Sequence, residues 1–282
     1  MAAPATCQPV THAGLPAHEI SLPGGDRLVV AEHGAQVLSW RAQGRERLYL
    51  SPRSVNDGQA AVRGGIPFCF PQFNQRGPHP GLPKHGFVRN LPWQLQPQAE
   101  AARLGFTLAS SPATRGLWPA DFAAELSVAL FPGRLEVELA VRNTGAEAWA
   151  FTGALHTYLA VDDVAQVRLH GLGGQPEWDS VADRHAQAAE PIAIAGEFDR
   201  VYTAPASSCL LQEGGQALAI TASPAWANTV VWNPGAERCP SLPDLPADGW
   251  RHMLCVEAAQ VFEPIPVQPG ATWRGFQHLE VR

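Results

Sequence analysis

The chain has 282 residues, 45% hydrophobic and only 16% charged, with 26 Gly and 26 Pro; this balance excludes wholesale disorder and fits a turn-rich chain built from sheet. A formal net charge of −6 argues against general nucleic-acid binding, which rewards a basic face. The five cysteines, Cys7, Cys69, Cys209, Cys239 and Cys255, are odd in number and contain no C-x-x-C pair, which points to free thiols in a reducing compartment.

In chain order, residues 1–25 read as an irregular, Pro-bearing lead. This lead lacks a basic segment followed by a long apolar run, and no later stretch is long and apolar enough to span a bilayer, so a cytoplasmic protein without membrane contact is expected. Leu28 to Trp40 and Arg47 to Ser51 then read as strands joined through the turn-forming pair Gln43-Gly44. From Arg63 to Trp93 the chain carries Arg63, Arg76, Lys84, His85 and Arg89 with no Asp or Glu between them. Positive charge left unneutralised in this way suits a small anion such as phosphate.

The clearest hairpin is AAELSVALF, Pro132-Gly133, RLEVELAVRN. Leu135, Val137, Leu139 and Val141 alternate with Glu136, Glu138, Ala140 and Arg142, the two-residue period of a half-solvated strand. Further strands are expected at 104–109, 149–161, 165–170, 208–212, 217–222, 229–233, 252–258 and 273–281, with no amphipathic helix. Segments 171–199 and 234–249 read as long irregular loops, the kind that carry sites on a sheet scaffold. No linker, repeat or charge block divides the chain, so one all-β domain of stacked antiparallel sheets over residues 1–282 is expected.

Two side chains in apolar strands are candidates for chemistry. His156 in FTGALHTYLAVDDV could be a neutral core histidine or a proton donor; Glu257 in RHMLCVEAAQVF, on the face of Met253 and Cys255, could be an exposed strand end or a buried base. Desolvation would raise the Glu257 pKa, and a nearby carboxylate would help His156 keep its proton, giving an acid and base couple. Arg63 and Arg89 could equally pair with surface carboxylates, Asp199 with Arg200, and Trp232 could be core. The ten histidines form no H-x-H, H-x-x-H or H-E-x-x-H pattern, and neither G-x-S-x-G nor a phosphate-cradling Gly-rich loop occurs. Neither a dedicated metal site nor a cofactor is expected.

In this order, the loop RGGIPFCFPQF…LPKHGFVRN, the strand ALHTYLAVDDV followed by VRLHGL, then GEFDRVY, VWNP and MLCVEAA resemble the glucose-6-phosphate 1-epimerases, or hexose-6-phosphate mutarotases, relatives of aldose 1-epimerase. The resemblance runs from about Gly34 to the C-terminus. It implies a galactose-mutarotase-like β-sandwich, or supersandwich, and interconversion of the anomers of a hexose 6-phosphate without cofactor; a monomer is expected. It further implies His156 as general acid, Glu257 as base, Arg63 and Arg89 toward the phosphorylated substrate, and Asp199 toward sugar hydroxyls. Lys84, before His85, replaces a Gln of the family pattern and could tighten anion binding or point to a different sugar phosphate; Trp178 stands where Tyr is usual.

Overall fold

In the computed structural model, which describes residues 4–77, 79, 81–203 and 208–282, the hairpin legible in the sequence forms as Phe122–Phe131 and Arg134–Asn143, in register from Arg134↔Phe131 to Asn143↔Phe122. Its apolar residues Leu135, Val137, Leu139 and Val141 are buried, as their alternation requires. This hairpin lies within a nine-stranded sheet and is flanked by Arg103–Ala109 on one side and Thr272–Val281 on the other.

A second sheet is organised about the long strand Met253–Val267, which pairs antiparallel with Trp149–Leu155, Tyr158–Ala160 and Asn228–Asn233. Along it, Leu254, Val256 and Ala258 point into the main core with Leu139 and Leu279 of the first sheet. Met253, Cys255 and Glu257 therefore face the other way, because successive strand residues alternate sides. Phe70 sits in the main core among Phe68, Trp118, Phe122 and Phe151, with ring centroids 5.2–5.5 Å away. Offset and edge-on packing of this kind is the favoured arrangement of aromatic rings.

Several sequence expectations need correction. The lead expected to be irregular over residues 1–25 forms Thr6–His12 and Leu15–Ser21, two strands of a five-stranded sheet. The first of these is mostly exposed, so it lacks the apolar alternation that reveals a strand. Leu28 to Trp40 divides into Arg27–Ala31 and Val37–Ala42 at a turn where Gly34 and Ala35 both take positive φ. Segment 171–199 holds the short strands Pro176–Asp179, Arg184–Gln187 and Ile192–Ala193. Among the described residues two short α-helices also occur, Pro112–Leu117, preceded by a Ser111–Thr114 capping box, and Gly235–Arg238. Neither is long enough to display a helical period.

The cationic loop is tied down along its length by backbone hydrogen bonds. Gly65 N donates to Tyr49 O (2.7 Å), Ile66 N to Val37 O (2.8 Å) and Phe87 N to Phe70 O (3.0 Å). The buried Gln72 side chain donates to the carbonyls of Leu82 and Pro83. Glycine is required where the loop turns back, since Gly86 has φ +70° and a Cβ there would run into the Phe70 carbonyl.

Candidate active site

The expected strand 149–161 breaks at one informative place, His156 and Thr157, between Trp149–Leu155 and Tyr158–Ala160. His156 N leaves the sheet ladder and donates to Pro67 O in the cationic loop (3.0 Å). Thr157 turns inward, its hydroxyl bonded to the buried Gln277 side chain, and Thr157 O accepts from Val256 N (3.1 Å). His156 is thereby presented on the same side as Glu257. Its Nδ1 lies 3.5 Å from Glu257 Oε1, with both side chains buried.

This pair lies at the base of an open cleft of about 680 Å³. Of the candidate site residues, Arg63, Lys84, His85, His156, Asp199 and Glu257 line it. Arg89 does not; its Nη2 donates to the carbonyl of Lys84 (3.3 Å), and it acts on the pair only through its charge. Arg63 is already committed, with Nε on Asp244 Oδ2 (2.9 Å) and Nη1 on the Tyr158 hydroxyl (3.0 Å). The Tyr158 ring in turn stacks on His156 at 4.8 Å and 7°. Arg63 thus holds the ring that orients the imidazole.

His85 is fixed by its own backbone. It has φ +64°, its N donates to Asn74 O, and its Nδ1 accepts from Asn74 N (3.2 Å). With Nδ1 accepting, the ring proton resides on Nε2. Burial, then His156 and the neighbouring cations, push the His85 pKa down, so it stays neutral.

Burial also dominates the catalytic candidates. It drives the Glu257 carboxyl well above its ordinary range, aided by Asp199 and opposed by Arg89 and Lys84. It drives His156 well below its ordinary value, with Arg89 and Arg63 adding to the effect. The expectation that a nearby carboxylate helps His156 hold its proton is outweighed in direction: desolvation and the neighbouring cations push the imidazole toward its neutral form. Asp199 is itself raised, chiefly by burial. It is not paired with Arg200, which instead meets Asp179 (2.6 Å) and Glu177 (3.4 Å).

Five further cleft residues were not among the candidate site residues. Arg76 lies 4.5 Å from the centroid of the Trp178 ring, and Trp178 Nε1 donates to Asp183 Oδ1 (2.9 Å). Arg238 pairs with Glu197 across the rim (3.0 Å). Arg76 had a signal in the acid-free loop and Trp178 one in the family resemblance; the others had none, because their neighbours are distant in the chain. Together these groups can move protons at one end of a small polar ligand and hold negative charge elsewhere on it.

The comparisons agree with this architecture. The family model described as "Aldose 1-epimerase" matches residues 17–280. Two relatives carry the name "Putative glucose-6-phosphate 1-epimerase". One, from Cenchrus ciliaris, is 34% identical over 258 residues, covering 86% of this chain and 78% of the relative. The other, from Salmonella typhimurium, is 36% identical over 245 residues, covering 83% and 80%. A crystal structure described as a "putative mutarotase" from Salmonella typhimurium superposes with TM-score 0.85 at 31% identity, covering 94% of this chain and 90% of that one. Galactose 1-epimerase from Lactobacillus acidophilus shares the fold, with TM-score 0.77, 15% identity and 99% coverage of both chains. The fold is thus the galactose-mutarotase-like antiparallel sandwich, and the chain belongs to the aldose 1-epimerase family.

Proposed function

We propose that the cleft interconverts the α and β anomers of a hexose 6-phosphate, with D-glucose 6-phosphate as the expected substrate. The observation that carries this reading is the buried His156–Glu257 pair, 3.5 Å apart, at the base of a cleft ringed by cations. Glu257, as carboxylate, removes the proton from the C1 hydroxyl, while His156, as imidazolium, protonates the ring oxygen. The C1–O5 bond breaks, rotation about C1–C2 presents the other carbonyl face, and the reverse transfers close the ring. No covalent intermediate is needed.

The electrostatics support this exchange. Carboxylate plus imidazolium and carboxyl plus imidazole carry the same number of protons, so they are two forms of one protonation state. Ring opening converts the charged form to the neutral one. Burial favours that neutral form, so the free energy spent in forming the charged pair is regained as the ring opens, while Arg89 and Lys84 keep the carboxylate within reach. Each positioned proton-transfer group is worth roughly a hundred- to ten-thousand-fold in rate. A phosphate on C6 is remote from C1, so Lys84, Arg76 and the free edge of Arg63 would orient the ring through a part that does not react.

The commitment of Arg63 to Asp244 favours one rival, an aldose 1-epimerase acting on unphosphorylated hexoses. Exchange NMR separates the two. The proposal expects faster anomer exchange of glucose 6-phosphate than of glucose at equal enzyme concentration; equal acceleration, or acceleration of glucose alone, would refute the phosphate assignment.

A further inference from the structure

Immediately behind the acid–base pair lies a third donor that the proposed reaction does not use. Cys255 precedes Glu257 by two positions on Met253–Val267, so the two share a face. Its cross-strand partners are Tyr158 and Trp232. The Cys255 thiol, a ring nitrogen of His156 and a carboxylate oxygen of Glu257 all lie within 4.8 Å of one another, and all three residues are buried. His156 Nδ1 and Glu257 Oε2 are enclosed, yet neither has a hydrogen-bond partner among the described residues. Buried polar atoms without partners cost about 1–3 kcal/mol each.

We propose that His156, Cys255 and Glu257 form a binding site for a borderline-soft divalent cation, Zn2+ in preference to Mg2+ or Ca2+, whose occupancy inhibits the enzyme. Binding rests on the donor set alone; the inhibition rests on the proposed roles of His156 and Glu257. One imidazole nitrogen, one thiolate and one carboxylate are the ligand types Zn2+ selects, whereas Mg2+ and Ca2+ demand oxygen. Zn–N and Zn–O bonds of about 2.0–2.2 Å and a Zn–S bond of about 2.3 Å set neighbouring tetrahedral ligands roughly 3.3–3.7 Å apart. The 3.5 Å between His156 Nδ1 and Glu257 Oε1 already meets this spacing, and the thiol, within 4.8 Å of a donor atom of each, must close in by up to about 1.5 Å.

Charge balance supports the same conclusion. A lone buried anion is disfavoured, but a dication with one thiolate and one carboxylate is electrically neutral, so the cation offsets both negative charges. On binding, the thiol and carboxyl each release a proton to solvent. The bound cation occupies the lone pairs that the proton transfers require.

The test uses the full-length protein with the exposed Cys7 changed to Ser, so that the only accessible competing thiol is removed. Co2+ is titrated in as a spectroscopic probe, Zn2+ affinity is measured by calorimetry, and anomer exchange is followed with and without Zn2+. The proposal expects one Co2+ per chain, a thiolate-to-Co2+ charge-transfer band displaced by Zn2+, and exchange that falls in step with Zn2+ occupancy. In Cys255→Ser the band should vanish, and Zn2+ should bind at least about tenfold more weakly. Cys255→Ala gives the same readout if the Ser variant folds poorly. Absence of the band in the folded parent, or unchanged Zn2+ affinity in both variants, overturns the site. A band without any exchange activity would leave the metal site standing and sink the proposed function; normal exchange that ignores bound Zn2+ would overturn the inhibition.

Discussion

Replacing Glu257 by Gln should make the protein more stable as pH rises, while removing most of its turnover. Glu257 is 1% exposed. Burial foremost, and then Asp199, raise its carboxyl well above the ordinary 4.5. Above pH 4.5 the folded chain therefore keeps a proton that the unfolded chain releases, so folding stability falls with rising pH until the folded-state pKa is passed. The slope for one proton is about 1.4 kcal/mol per pH unit. Glutamine preserves the volume and the neutral state without that proton. Wild type should consequently lose up to about 1.4 kcal/mol per pH unit relative to Glu257→Gln, whereas below pH 4.5 the difference should be flat. Urea unfolding followed by tryptophan fluorescence suits the assay, since the chain has nine Trp. Because His156 is coupled to Glu257, the difference reports the proton that the pair gains through Glu257. A difference independent of pH, or a wild type that gains on the variant as pH rises, would refute the reasoning. Anomer exchange in the same variant should drop by roughly a hundred- to ten-thousand-fold.

Other substitutions probe the surroundings. Lys84→Gln should raise KM for glucose 6-phosphate about two- to fivefold with kcat nearly unchanged, and the effect should shrink at high salt; steady-state kinetics at two ionic strengths checks this. Tyr158→Phe removes the hydroxyl that accepts from Arg63 Nη1 but keeps the ring stacked on His156. It should cost about 1–3 kcal/mol in urea unfolding and slow exchange far less than Glu257→Gln. Gly86→Ala places a Cβ against the Phe70 carbonyl at φ +70°. It should destabilise by more than about 2 kcal/mol, read as a lowered Tm.

The sheets were legible where one face meets solvent. Leu135, Val137, Leu139 and Val141 alternate with polar residues, so the hairpin could be read almost to its ends. Thr6–His12 was not legible, because it is an exposed edge strand whose stability comes from pairing with Leu15–Ser21. The break at His156 was hidden by apolar residues on both sides; only the hydrogen bond from its backbone to Pro67 reveals that the chain leaves the ladder there. The acid–base pair was legible as two buried-type residues and a resemblance, but their separation was not, since neither lies near the other in the chain. The partner of Arg63 was equally invisible: Asp244 belongs to a loop whose sequence gives no sign of what it faces.

The central claim is that His156 and Glu257 act as one proton-exchanging unit, and a double-mutant cycle on anomer exchange of glucose 6-phosphate tests it most directly. Wild type, His156→Gln, Glu257→Gln and the double variant would be compared at equal concentration of folded protein. If the residues act together, either single substitution removes nearly all the acceleration and the double variant is scarcely slower. Losses that multiply, or a single variant that keeps wild-type exchange, would contradict the account.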